Sequence, residues 1–146
     1  MSPVALPRPL IVDASVATKW LLAEPDSGLA FALRARDLAA PALLGIEVAN
    51  ALRTATARGQ VLPADALNLL DLFADAPVAV LGTDAALERR ALEIALAVNH
   101  PVYDCLYLAL AERTGRLLVT ADARFLRALR ATPYAAHAAA LEEVAG

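Results

Sequence analysis

Three short apolar runs constrain this chain most: LIVD at 10–13, VAVL at 78–81 and LLVT at 117–120. None alternates apolar with polar side chains. Such strands are buried on both faces, which is the habit of parallel sheets covered by helices on each side. The stretches between them read as helices. These are expected over about 16–23, from Asp26 or Ser27 to about Asp37, over 42–58, and from Pro63 to about Asp75. Three more run from Thr83 or Asp84 to about Val98, from about Tyr103 to Arg113, and from Asp122 to about Ala131. Glu24-Pro25 stops the first, while Gly59 and Gly115 supply C-caps. Residues 38–41 and 99–102 are short extended pieces. Strands alternating with helices make a parallel α/β sheet, with ligands bound at the carboxyl ends of its strands.

The chain has 146 residues, one domain by size, with a stiff leader at 1–9 carrying Pro3, Pro7 and Pro9. Hydrophobic residues make up 59%, enough to fill a core. The net charge of −3 excludes a general nucleic-acid coat, and 5% aromatic residues leave little for base stacking. Lys19 is the only lysine among 13 basic side chains; arginine suits bidentate phosphate contact. Cys105 alone allows no disulfide or cysteine zinc cluster and is expected as a buried thiol. No secretory leader and no uninterrupted apolar span is present, so a cytoplasmic chain with no membrane partner is expected.

Four acids converge on one edge of the expected sheet. Asp13 ends the first strand, and Asp122 follows the third by two residues. The helix from Tyr103 turns tightly at 114–116 into that strand, so it runs antiparallel to it and starts where the strand ends, placing Asp104 there. The connection 99–102 must then climb back across the sheet. Glu47 stands roughly 6–9 Å along its helix and leans back towards the same edge. Each acid has a plainer reading. Asp13 and Asp122 suit helix caps, and Asp104 a first-turn acid. Glu47 resists one, since Leu43, Leu44, Ile46, Val48 and Ala51 make its turns apolar almost all round; a buried carboxylate is costly unless paired or bound to metal. Asn50, at i+3, is expected to hold it by a hydrogen bond. Converging carboxylates without cationic partners repel, and oxygen ligands select Mg²⁺ or Mn²⁺ over zinc.

The segments LIVDASVATKWLLAE, PALLGIEVANAL and PVYDCLYLALAERTGRLLVTADARF, in this order, resemble the PIN-domain family and within it the VapC-type toxins of bacterial toxin–antitoxin pairs. The resemblance spans about residues 9–146. It implies a three-layer α/β/α sandwich around a parallel sheet of four to five short strands. It also implies Mg²⁺- or Mn²⁺-dependent cleavage of RNA, with Asp13, Glu47, Asp104 and Asp122 as catalytic metal ligands. A small antitoxin protein is the implied partner, and a homodimer is compatible with it. Ser15 and Thr120 are candidates for supporting the ligands, with cap and strand roles as the alternative. Arg124, Arg127 and Arg130, three residues apart, either line an RNA groove or form a solvated helix face. Trp20 either stacks on a base or belongs to the core, and His100 beside Pro101 reads as a turn residue. The family's tail carries a final strand, whereas 135–143 here is alanine-rich and leans helical.

Two other classes compete. A receiver-like binding module shares the strand-end aspartate but wants a second acid beside it and a late lysine; Ala14-Ser15 follows Asp13 here. A nucleotide-binding module wants a glycine-rich turn after the first strand, and DASVAT has none. Within the nuclease class, a housekeeping RNA-processing enzyme is the alternative to a toxin.

Overall fold

The computed structural model describes residues 7–146, so residues 1–6 of the expected leader lie outside it. The strands are β1 (Leu10–Val12), β2 (Leu38–Pro41), β3 (Ala79–Leu81), β4 (Leu117–Thr120) and β5 (Ala138–Ala140). The helices are α1 (Ala14–Ala17), α2 (Ser27–Ala32), α3 (Leu43–Ala57), α4 (Pro63–Phe73), α5 (Ala85–Val98), α6 (Val102–Thr114), α7 (Ala123–Leu129) and α8 (Leu141–Ala145). All strand pairs are parallel, in the order β3-β2-β1-β4-β5.

β1 is the middle strand, with Leu10, Ile11 and Val12 all 0% exposed. Successive strand side chains point to opposite faces, so helices must cover both. α6 lies across β1, β2 and β4 and brings Leu108, Ala109 and Leu110 into the core. Burial of each such leucine stabilises the fold by roughly 1.5–3 kcal/mol. Cys105 is buried in this core, as expected of a packing thiol. No single helix among the described residues is long and apolar enough to cross a membrane.

The extended piece expected at 38–41 is borne out as a strand, while other expectations are corrected. Residues 38–41 are a full sheet strand beside β1, although LAAP carries little β propensity; its small side chains admit α6 close to the sheet. β3 begins at Ala79 rather than at Val78 and sits at the edge, where Val80 is 67% exposed. In the tail, Ala138–Ala140 pair with Leu118–Thr120 of β4, so strand pairing overrides alanine's helical preference there. Helical backbone resumes at Leu141, which is fully buried. The first helix is shorter than expected: α1 ends at Ala17 and continues as a 3-10 turn, Thr18–Trp20.

The connection at 99–102 does not climb across the sheet. Asn99 ends α5 in the left-handed region (φ 51°, ψ 57°), and α5 and α6 form a pair bent by 117°. Arg113 near the end of α6 pairs with Asp84 at the start of α5, and Arg90 of α5 forks onto Glu112 of α6. The two helices therefore fold back on each other at this bend, and α5 itself delivers the chain to the start of α6.

Candidate metal centre

Asp13 leaves β1 in extended geometry (φ −103°, ψ 179°) and caps α1, its Oδ1 accepting from Val16 N at 3.3 Å. The same oxygen accepts from Ser15 Oγ at 2.6 Å. A serine hydroxyl has one proton, so Ser15 takes its 3.2 Å contact with Thr120 as an acceptor, along with Ala121 N at 2.8 Å. Thr120 Oγ1 in turn accepts from Asp122 N at 3.1 Å. A chain of donors thus runs from the backbone of Asp122 through Thr120 and Ser15 to Asp13, tying the end of β4 to the end of β1. Asp13 is only 5% exposed. Burial pushes its carboxyl up to about 6, against the pull of the Ser15 and Thr120 hydroxyls, and the charge of Asp104 adds to the rise.

Glu47 lies in the second turn of α3 and is half-buried. Tyr107 of α6 donates its phenol to Oε1 at 2.5 Å. Burial raises the Glu47 carboxyl above its ordinary range, the Tyr107 hydrogen bond opposes this, and the charge of Asp104 raises it further. Asn50 does not hold Glu47. It is exposed and, among the described residues, makes no side-chain hydrogen bond, because the phenol from α6 occupies the buried approach. Nor are the first turns of α3 buried all round: Leu44 and Val48 are in the core, whereas Ile46 is 67% exposed.

Asp104 stands in the first turn of α6, its Oδ2 2.6 Å from His100 Nε2. The His100 side chain is 8% exposed and stacks on Phe125 with centroids 4.6 Å apart. Asp122 caps α7, its Oδ1 accepting from Arg124 N at 3.0 Å and Phe125 N at 3.1 Å. Ligating atoms of His100, Asp104 and Asp122 all lie within 4.8 Å of one another. His100 is thus more than a turn residue. Its i,i+4 spacing to Asp104 was the available signal, and Tyr107 had none, being one more bulky residue in an apolar helix.

Asp104 is the hub. Its charge bears on Asp13 and on Glu47, and its carboxylate shares a cluster with His100 and Asp122. No lysine or arginine among the described residues pairs with any of the four acids. Lys19, the lone lysine, is taken up by Glu24 and by Asp26 at 2.9 Å. Trp20 donates to Ala30 O at 2.7 Å and packs against the core, which removes it as a base-stacking candidate. A buried carboxyl held against ionisation, beside further acids and without a cation, is a donor set that fits a hard divalent ion. Arg124 and Arg127 on α7 and Arg130 at its C-cap are exposed, and of the three only Arg124 lines the pocket that holds His100, Asp104 and Asp122.

Comparisons with known proteins agree with this architecture. The family model for the PIN domain matches residues 10–130. Ribonuclease VapC12 of Mycobacterium tuberculosis is 32% identical over 116 residues, which is 79% of this chain and 88% of that protein. The crystal structure of PAE2754 from Pyrobaculum aerophilum has a TM-score of 0.67 at 28% identity, covering 94% of each chain. That of Mycobacterium tuberculosis VapC20, a sarcin-ricin loop cleaving toxin, has a TM-score of 0.62 at 18% identity. It covers 82% of this chain and 94% of that one, and at such identity it speaks for the fold alone.

Proposed function

This chain belongs to the PIN-domain family, and from that premise we propose that it is a metal-dependent endoribonuclease, the toxin of a toxin–antitoxin pair, acting as a single domain in the cytoplasm. The observation that carries the reading is the grouping of Asp104 and Asp122 with His100, their ligating atoms within 4.8 Å of one another and no lysine or arginine among the described residues paired with either acid. Asp13, Glu47 and Asp104 would hold Mg²⁺ or Mn²⁺, with Asp122 completing the set. When bound, the ion supplies a Lewis acid and an activated water for phosphodiester hydrolysis.

The protein's own residues fix the geometry. Ser15, itself accepting from Thr120, holds Asp13 through Oδ1, and His100 holds Asp104 through Oδ2. Arg124 and Arg127 offer guanidinium forks to the RNA backbone. The toxin role rests on the likeness to ribonuclease VapC12. A disordered antitoxin segment would dock its apolar residues along the helices on either side of Glu24-Pro25, where Phe31 of α2 is 59% exposed.

Two measurements test this. The purified chain cleaves RNA with Mg²⁺ or Mn²⁺, and EDTA stops it. Expression slows growth, and Asp13→Ala or co-expression of an adjacent small gene's product restores it. Harmless expression at high level, with RNA cleavage intact in vitro, assigns the chain to RNA processing instead; no cleavage with either ion removes the nuclease reading.

The metal alone also has a measurable effect. With a dissociation constant near 1 mM, 10 mM Mg²⁺ stabilises the fold by about 1.4 kcal/mol. For a domain of this size that raises Tm by roughly 3–6 °C. A Tm indifferent to EDTA, Mg²⁺ and Mn²⁺ alike contradicts a functional ion site.

A further inference from the structure

We propose that Tyr107 is a positioning residue, whose phenol presents Glu47 to the metal; this rests on the reading of Glu47 as a metal ligand. Tyr107 sits three residues after Asp104 in α6, and residues three apart share a helix face. It is 0% exposed and ranks first among the large, fully buried side chains. A phenylalanine would fill that core position without a polar atom to satisfy. The hydroxyl is therefore a cost unless it finds a partner, and its partner is Glu47 Oε1, on a different helix and 60 residues earlier. The bond ties the glutamate of α3 to the helix that carries Asp104.

The chemistry of the donor matters as much as its place. A lysine or arginine at this point would neutralise the acids and compete with a cation. A phenol carries one proton and no charge at neutral pH. It fixes Oε1 of Glu47 and leaves Oε2 without a hydrogen-bond partner among the described residues. The Tyr107 hydroxyl therefore joins Glu47 to the helix that carries Asp104 one turn earlier. Orienting a ligand beforehand removes part of the rotamer cost of binding, and outer partners of this kind commonly change metal affinity 10–100-fold.

The test is Mn²⁺ binding, read from the free-ion paramagnetic resonance signal, on the full chain and its Tyr107→Phe, Glu47→Gln and doubly substituted variants. Tyr107→Phe is expected to weaken Mn²⁺ binding by about tenfold or more, and to have no further effect once Glu47 is Gln. Binding within twofold of wild type in Tyr107→Phe, with Glu47→Gln weakened, overturns the inference and leaves the metal reading standing. An equal loss from Tyr107→Phe in both backgrounds overturns it too, because Tyr107 then acts through general packing. Unchanged binding in Glu47→Gln defeats both the ligand assignment and the inference. Should Tyr107→Phe not fold, Tyr107 itself serves as the reporter in a chain carrying Tyr103→Phe and Tyr134→Phe, in which it is the one remaining tyrosine. Mg²⁺ is expected to shift its near-ultraviolet tyrosine spectrum, and Glu47→Gln to abolish the shift. No shift on Mg²⁺ addition overturns the proposal.

Discussion

Asp104→Asn is expected to lower RNA cleavage by about 10³-fold or more, equivalent to roughly 4 kcal/mol of transition-state stabilisation, with the fold intact. The position explains both halves. In the first turn of α6 an asparagine gives up only the favourable charge at the helix N-terminus, about 0.3–1 kcal/mol, and its amide oxygen still accepts from His100, which stands 2.6 Å away. Removing the charge also relieves Asp13 and Glu47, both of which Asp104 pushes towards protonation. A residue that merely favoured the helix terminus would be nearly silent on replacement. Loss of cleavage without loss of structure separates the two roles. The measurement is initial cleavage rate beside circular dichroism, on protein matched for purity. A rate within a few-fold of wild type ends the assignment of Asp104 to the centre.

The legibility of this site in the residues depends on what each residue type signals. LIVD and LLVT announce buried parallel strands, and their carboxyl ends place Asp13 and Asp122 on one edge; β1 and β4 are indeed neighbours. The cap reading and the edge reading of those two acids are not rivals. Each uses Oδ1 to cap a helix, which holds the carboxylate at the sheet edge. What periodicity hides is contact between distant helices. Nothing in YDCLYLAL says that one tyrosine is exposed and the other buried against Glu47, because 107 and 47 are joined only by tertiary packing. Sequence spacing offers Asn50, at i+3, as a partner for Glu47, because only local neighbours can be read from it. The alanine-rich tail misleads for a related reason: helix propensity is intrinsic, whereas the free edge of β4 that recruits Ala138–Ala140 exists only in the folded sheet.

The state of Asp13 gives the second large effect, and its sign runs against the usual one for an aspartate. Its carboxyl is raised from 3.8 to about 6 on folding, chiefly by burial. The native state therefore binds this proton more tightly than the unfolded chain does. The stability linked to it is fully present below about pH 3.8 and is lost as pH rises through about 6. A shift of this size corresponds to about 3 kcal/mol at most. In the metal-free chain at pH 8 the ionised Asp13 is thus a strained group that Asn would relieve. Asparagine still accepts from Ser15 Oγ and Val16 N through its amide oxygen, so the cap at α1 survives. In EDTA at pH 8, Asp13→Asn is expected to be more stable than wild type by about 2 kcal/mol, or roughly 4–8 °C in Tm. The gap should narrow as pH falls towards 4.5, where wild-type Asp13 keeps its proton. Adding Mn²⁺ should stabilise wild type and leave the variant unmoved, since the charge that strains the empty site is the charge that would bind the ion. A metal-free Asp13→Asn chain that melts below wild type at pH 8, with a gap independent of pH, contradicts a strained carboxylate at this position.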